Sequence, residues 1–271
     1  MLSYRSHPDL LQIAAAGLAV GALGLTALAA ARPGDREPWT VPSPPASVAA
    51  QPEVGAGIEL TSRTLTGTSF TPGPTEGTVP RASPEWVAEV SAATDIPIRA
   101  LQAYADASVT LSVETPSCRL GWTTLAAIGA IESGHGTHGG SSLLPDGRAE
   151  LPIVGPALDG DPFAAIPSTK DSVALHGDPH WDHAVGPMQF IPSTWQRWGA
   201  DGDGDRRDDP QDIDDAALAA GRYLCAGGRD LTGVDGWNAA VLSYNHSREY
   251  ADQVLSLADV YGRSAHMTGQ P

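Results

Sequence analysis

The chain has 271 residues, with 32 acidic against 16 basic side chains and a net charge of −16. That length holds one large or two small domains and can bury a real core. The acidity excludes nucleic acid, whose phosphates need cationic partners, and two cysteines exclude a disulfide-dense scaffold or a four-thiolate zinc site.

The first element in chain order is residues 10–31, uncharged and rich in Ala, Leu and Gly. As a helix this stretch would rise about 33 Å, enough for a bilayer core. It reads as an export segment, 1–31. Its length favours an uncleaved transmembrane anchor over a signal peptide, while Ala27-Leu28-Ala29 and Ala29-Ala30-Ala31 offer small-residue cleavage sites. A buried core helix is the competing reading, and the terminal position argues against it. Residues 32–83 contain 9 Pro, 6 Gly and 13 Ser or Thr. Such a segment cannot bury enough apolar surface to offset chain entropy, so a disordered linker is expected.

Residues 84–271 then form the domain. Ser83-Pro84-Glu85 reads as N-cap, first helical position and acidic first turn. Ile98, Leu101, Tyr104 and Ala105 continue at helical spacing. Residues 122–132 are a mostly apolar helix and so a central one. Residues 134–185 show no clear periodicity, and a loop region that long is usually functional or disordered. Short helices are expected near 193–198, 214–225 and 235–244, then a last one with Tyr250, Val254, Leu257 and Tyr261 on one face. The fold class is mainly α. In an exported domain Cys118 and Cys225 would form one disulfide; two buried thiols are the alternative.

The central helix ends Ile131-Glu132-Ser133-Gly134-His135. A carboxyl at the edge of an apolar core is partly desolvated, which raises its pKa and suits a general acid near neutral pH. The competing reading is a Glu that reaches solvent at a helix end.

Two later segments join it: Gly186-Pro187-Met188-Gln189-Phe190, followed by Ile191-Pro192-Ser193-Thr194-Trp195, and Leu242-Ser243-Tyr244-Asn245. With Glu132-Ser133 these resemble the three ordered hallmarks of lytic transglycosylases on a lysozyme-like α+β fold. From about Ile96 to Tyr261 the chain is similar to the membrane-bound lytic murein transglycosylase B family. The resemblance implies a peptidoglycan enzyme that cleaves the MurNAc-β-1,4-GlcNAc bond and leaves 1,6-anhydro ends. Glu132 would be the single acid and base, with the substrate acetamido group in place of a second carboxylate. A muramidase-type hydrolase would need that second carboxylate, and Asp182 is its candidate. Met188, Gln189 and Phe190 match positions lining the sugar cleft. Tyr244 matches a residue close to the acid, with its hydroxyl expected to donate to Glu132 or to the acetamido group. Ser133 and Asn245 match cleft positions too, Asn245 as a residue that fixes backbone. Trp181, Trp195 and Trp198 stand near this segment, for sugar stacking or for core packing. The implied setting is the cell envelope, membrane-anchored or secreted, with glycan strands as partner.

The acidic excess is concentrated in residues 201–215, which hold eight Asp and two Arg, a net of −6. Asp201, Asp203, Asp205, Arg207, Asp209 and Asp212 fall at positions 1, 3, 5, 7, 9 and 12 of an EF-hand-type calcium loop. Arg206 stands at position 6 where that loop has Gly, and Asp212 is shorter than the usual Glu. A structural calcium ion is one reading and a solvated acidic turn the other; the chemistry needs no cofactor. Two rival functions stay open. His135, His138, His176, His180 and His183 could hold zinc for a metal-dependent hydrolase, or the domain could be a non-catalytic wall-binding module.

Overall fold

The computed structural model describes residues 81–160 and 164–266. The export segment and the linker up to residue 80 lie outside the described residues. Among the described residues no helix is long and apolar enough to cross a membrane.

Local chemistry sets the helix boundaries. Helix α1 spans Pro84–Thr94; the Ser83 side chain caps it by accepting from the Trp86 N–H, and proline takes the first turn. Helix α2, Ile98–Glu114, buries Leu101, Tyr104, Ala105 and Leu111. Ile98, which the spacing counts into this inward face, is 58% exposed, and the buried face begins at Ala100 and Leu101. Helix α3, Trp122–Ser133, is buried along most of its length. It packs against α2 and against the last helix, α8, Arg248–His266. A helix that is apolar on every side has no other stable place.

The aperiodic stretch is not without elements. It holds a 3-10 turn at His138–Gly140, strand β1 at Val154–Ala157, helix α4 at Lys170–His176 and strand β2 at His183–Val185. The strands pair antiparallel, Val154 with Val185 and Ala157 with His183. A capping box between Thr169 and Ser172 starts α4. Elements of three to seven residues are too short for periodicity to reveal. Helices α5, Pro192–Trp198, α6, Ile213–Leu224, and α7, Val234–Tyr244, follow. Helix α6 lies along α2. On α8, Tyr250, Val254 and Tyr261 are buried and Leu257 packs against the core. The described domain is mainly helical, with one two-stranded sheet and one apolar core.

Cys118 and Cys225 are joined, across 107 residues of sequence. The bond ties the entry to α3 to the end of α6, and both cysteines are buried. In the chain-entropy model a loop of this length stabilises by about 4–5 kcal/mol. Replacing both cysteines by serine should lower the unfolding free energy by about that amount in a urea titration.

Candidate active site

Helix α3 stops because Gly134 takes the left-handed conformation, φ 59°. The Gly134 N–H then reaches the Ala130 carbonyl and the His135 N–H reaches that of Gly129, both at 2.9 Å. Glu132 is thereby placed in the last helical turn, half-buried. Its Oε1 accepts a hydrogen bond from Tyr250 Oη at 2.7 Å. Burial pushes the carboxyl up to about 7; the tyrosine bond favours the ionised form and opposes that rise. The C-terminal end of α3 also carries the negative pole of the helix, which disfavours an anion there.

The three motifs meet at this helix end through bonds to backbone. Ser133 is buried; its Oγ donates to the Pro187 carbonyl at 2.6 Å and accepts from the Gly136 N–H at 2.8 Å. Tyr244 Oη donates to the Met188 carbonyl at 2.7 Å. Ser133 and Tyr244 therefore hold the 186–190 segment from two sides. Gly186, at φ 78°, lets that segment turn against the Pro210 carbonyl, which a side chain there would strike.

Several expected contacts are placed differently. Tyr244 gives its proton to a backbone carbonyl rather than to Glu132, although the Glu132 charge is close enough, with burial, to push the phenol up. Met188 is fully buried and Phe190 nearly so, and both side chains belong to the hydrophobic core. Phe190 lies edge-on to Trp195 and Tyr244, at 5.3 and 6.0 Å between ring centres. Trp195 is a core residue, whereas Trp181 and Trp198 are half-buried. Gln189, with φ 50°, is half-buried and donates to the Gly186 carbonyl at 3.0 Å. Its Oε1 lies against Gly155 of β1. Asn245 follows α7 and accepts from the Ser247 N–H at 3.1 Å.

Tyr250 was the residue that spacing alone could not single out. The available signal is a hydroxyl-bearing ring on the inward face of the last helix, which Tyr261 shares.

Asp182 is buried and bonded by His176 Nε2 at 3.3 Å. His183 Nε2 faces Asp178 at 3.1 Å, and His135 sits between two tyrosines. Among the described residues, the groups spaced to hold a metal ion contain aspartates only.

Those groups lie in the acidic loop. Carboxylate oxygens of Asp201, Asp203 and Asp215 fall within 4.8 Å of one another, as do those of Asp203, Asp212 and Asp214. Asp215 lies outside the twelve-residue spacing. Asp212 instead caps α6 by accepting from the Asp214 N–H at 2.9 Å. Asp205 and Asp209 each turn one oxygen to a loop N–H, those of Arg207 and Gln211. Arg207 is exposed. Arg206 takes φ 71°, the conformation that glycine supplies at that place in an EF-hand. Burial and the nearby Asp203 and Asp201 push Asp215 up to about 7. Burial with Asp214 and Asp215 nearby does the same to Asp212. Arg99 pairs with Asp214.

Residues 175–230 match the family model described as the transglycosylase SLT domain. The matched segment runs from the end of α4 through β2, the 186–190 segment and the acidic loop to just beyond α6. It supports a domain of lytic-transglycosylase type acting on peptidoglycan. No curated protein and no solved structure matches the chain.

A carboxyl whose folded-state pKa is raised costs stability once pH exceeds its unfolded value, and the cost levels off above the folded one. Glu132→Gln should therefore gain stability over the parent as pH rises from about 4.5 to 7 and hold it above. The gain at pH 8 should be about 3 kcal/mol in denaturant titrations, and near zero at pH 4.

Proposed function

We propose that the chain is an exported peptidoglycan lytic transglycosylase with Glu132 as its single acid and base. The carrying observation is the half-buried Glu132 carboxyl, held near 7 where the three motifs meet. A carboxyl of that strength is populated in both forms at neutral pH, as a group that first gives and then takes a proton needs to be.

Glu132 would protonate the bridging oxygen between N-acetylmuramic acid and N-acetylglucosamine, and the glycosidic bond breaks with its electron pair on that oxygen. The substrate's acetamido group stabilises the electron-poor C1. The carboxylate, with Tyr250 donating to Oε1, has Oε2 to take the proton of the muramic 6-hydroxyl. That oxygen closes on C1, and Glu132 is neutral again. The hydrolase alternative needs a second, free carboxylate. Its candidate, Asp182, is buried and engaged by His176, which favours the water-free route. Gln189 is the motif side chain with a further amide hydrogen to offer a sugar.

Export, by anchor or by cleaved signal, agrees with a wall substrate; it rests on residues outside the described ones. Glu132→Gln should reduce the release of soluble fragments from cell-wall suspensions at least about 100-fold while the protein stays folded. Unchanged release would leave a wall-binding module as the reading. A chelator should cost at most stability, whereas a zinc hydrolase would lose its activity.

Asp201, Asp203 and Asp215 would hold a structural calcium ion, with oxygen ligands only, as that ion prefers. The residues fit: three carboxylates converge, and the buried one, Asp215, is driven toward protonation when nothing cancels the charge around it. Calorimetry should show calcium binding that Asp215→Asn weakens at least about 10-fold. No heat at millimolar calcium would show that the aspartates do not hold the ion.

A further inference from the structure

Three rings, tilted to one another, meet at the turn that ends the helix carrying Glu132. His135 Nδ1 meets Tyr104 Oη of α2 at 3.2 Å, and its Nε2 meets Tyr261 Oη of α8 at 3.1 Å. The imidazole is buried, and burial holds its pKa down at about 4. At neutral pH one ring nitrogen thus donates to a tyrosine oxygen and the other accepts from the second tyrosine.

Two backbone features show that the fold is built around this ring. Gly129 of α3 lies under the Tyr104 hydroxyl, which any side chain at 129 would strike. His135 itself holds φ 61°, between Gly134 at 59° and Gly136 at 84°. A residue with a side chain costs about 1–2 kcal/mol in that conformation. Glycine would avoid that cost, so the imidazole's two hydrogen bonds are what offset it.

Tyr261 shares helix α8 with Tyr250, the residue bonded to Glu132 Oε1. Eleven residues of helix separate the two tyrosines, about 16 Å. Helix α8 is therefore attached to the end of α3 at two places, through Glu132 and through His135.

We propose that His135 is a positioning residue: by bridging Tyr104 and Tyr261 it sets the register of α8 and keeps the Tyr250 hydroxyl on the Glu132 carboxyl. The link to catalysis rests on the proposed role of Glu132; the link to the register does not.

The test is a carbon-13 titration of the Glu132 carboxyl in the full chain. Parent, Tyr261→Phe, His135→Asn and Tyr250→Phe are compared. Asn tolerates the left-handed backbone but is too short to reach both tyrosines. Tyr250 favours the ionised acid, so losing its contact should raise the midpoint by about half a pH unit or more in all three variants. Tyr250→Phe combined with Tyr261→Phe should add nothing to Tyr250→Phe alone. On soluble wall fragments kcat should fall about 10-fold with KM little changed. An unchanged Glu132 midpoint in folded Tyr261→Phe overturns the proposal, and this milder variant decides if His135→Asn does not fold. A shifted midpoint in a protein whose Glu132→Gln variant still degrades wall would sustain the register claim and sink the glycan reading.

Discussion

A carboxylic acid kept half out of water at the end of an apolar helix is the constraint on which the rest of this structure depends. Helix α3 is buried because it has no polar face, so its last turn brings Glu132 to the edge of the core. Desolvation there raises the carboxyl to about 7, and the hydrogen bond from Tyr250 is the opposing influence. Deeper burial would make the group a permanent acid. Full exposure would return it to the ordinary carboxylate range. Its usefulness lies between, and the neighbouring elements hold it there.

The holding is done by side chains that bond to backbone. Ser133 grips the Pro187 carbonyl and Tyr244 grips that of Met188. Met188 and Phe190 fill the core behind them. Segments far apart in sequence become one wall, and Gln189 stays half-exposed upon it. The disulfide and the acidic loop act at a greater remove: one ties the entry to α3 to α6, the other precedes and caps α6. The acidity of the chain is thus partly local. It does not steer the protein to an anionic wall, and a cation within the aspartate loop would cancel part of it.

Much of the architecture was legible in advance, for reasons that also explain what was not. The apolar run before Glu132 reads as a central helix because burial needs no partner-specific information. The cysteine pair reads as a bond because two thiols in an exported domain have few other fates. Side-chain targets are another matter. Tyr244 stands at the expected place, yet its hydroxyl goes to a carbonyl, while Tyr250, one turn into the next helix, takes the acid. Both are tyrosines on inward faces, and only the packing of α8 against α3 distinguishes them. Met188 in the core and Asp215 in the aspartate group have the same origin. Spacing within a loop cannot foresee that α6 begins at Ile213, making Asp212 its cap and turning Asp215 inward. The short strands and α4 escaped because a capping box and a few ladder bonds, rather than periodicity, make them.

In the proposed mechanism one carboxyl performs both proton transfers and the sugar's own 6-hydroxyl, not water, captures C1. Digesting purified cell wall in oxygen-18 water tests it most directly. The expected products are 1,6-anhydro-muramic ends that carry no label and are lost in Glu132→Gln. Reducing muramic ends with oxygen-18 at C1 would contradict it and make the protein a hydrolase.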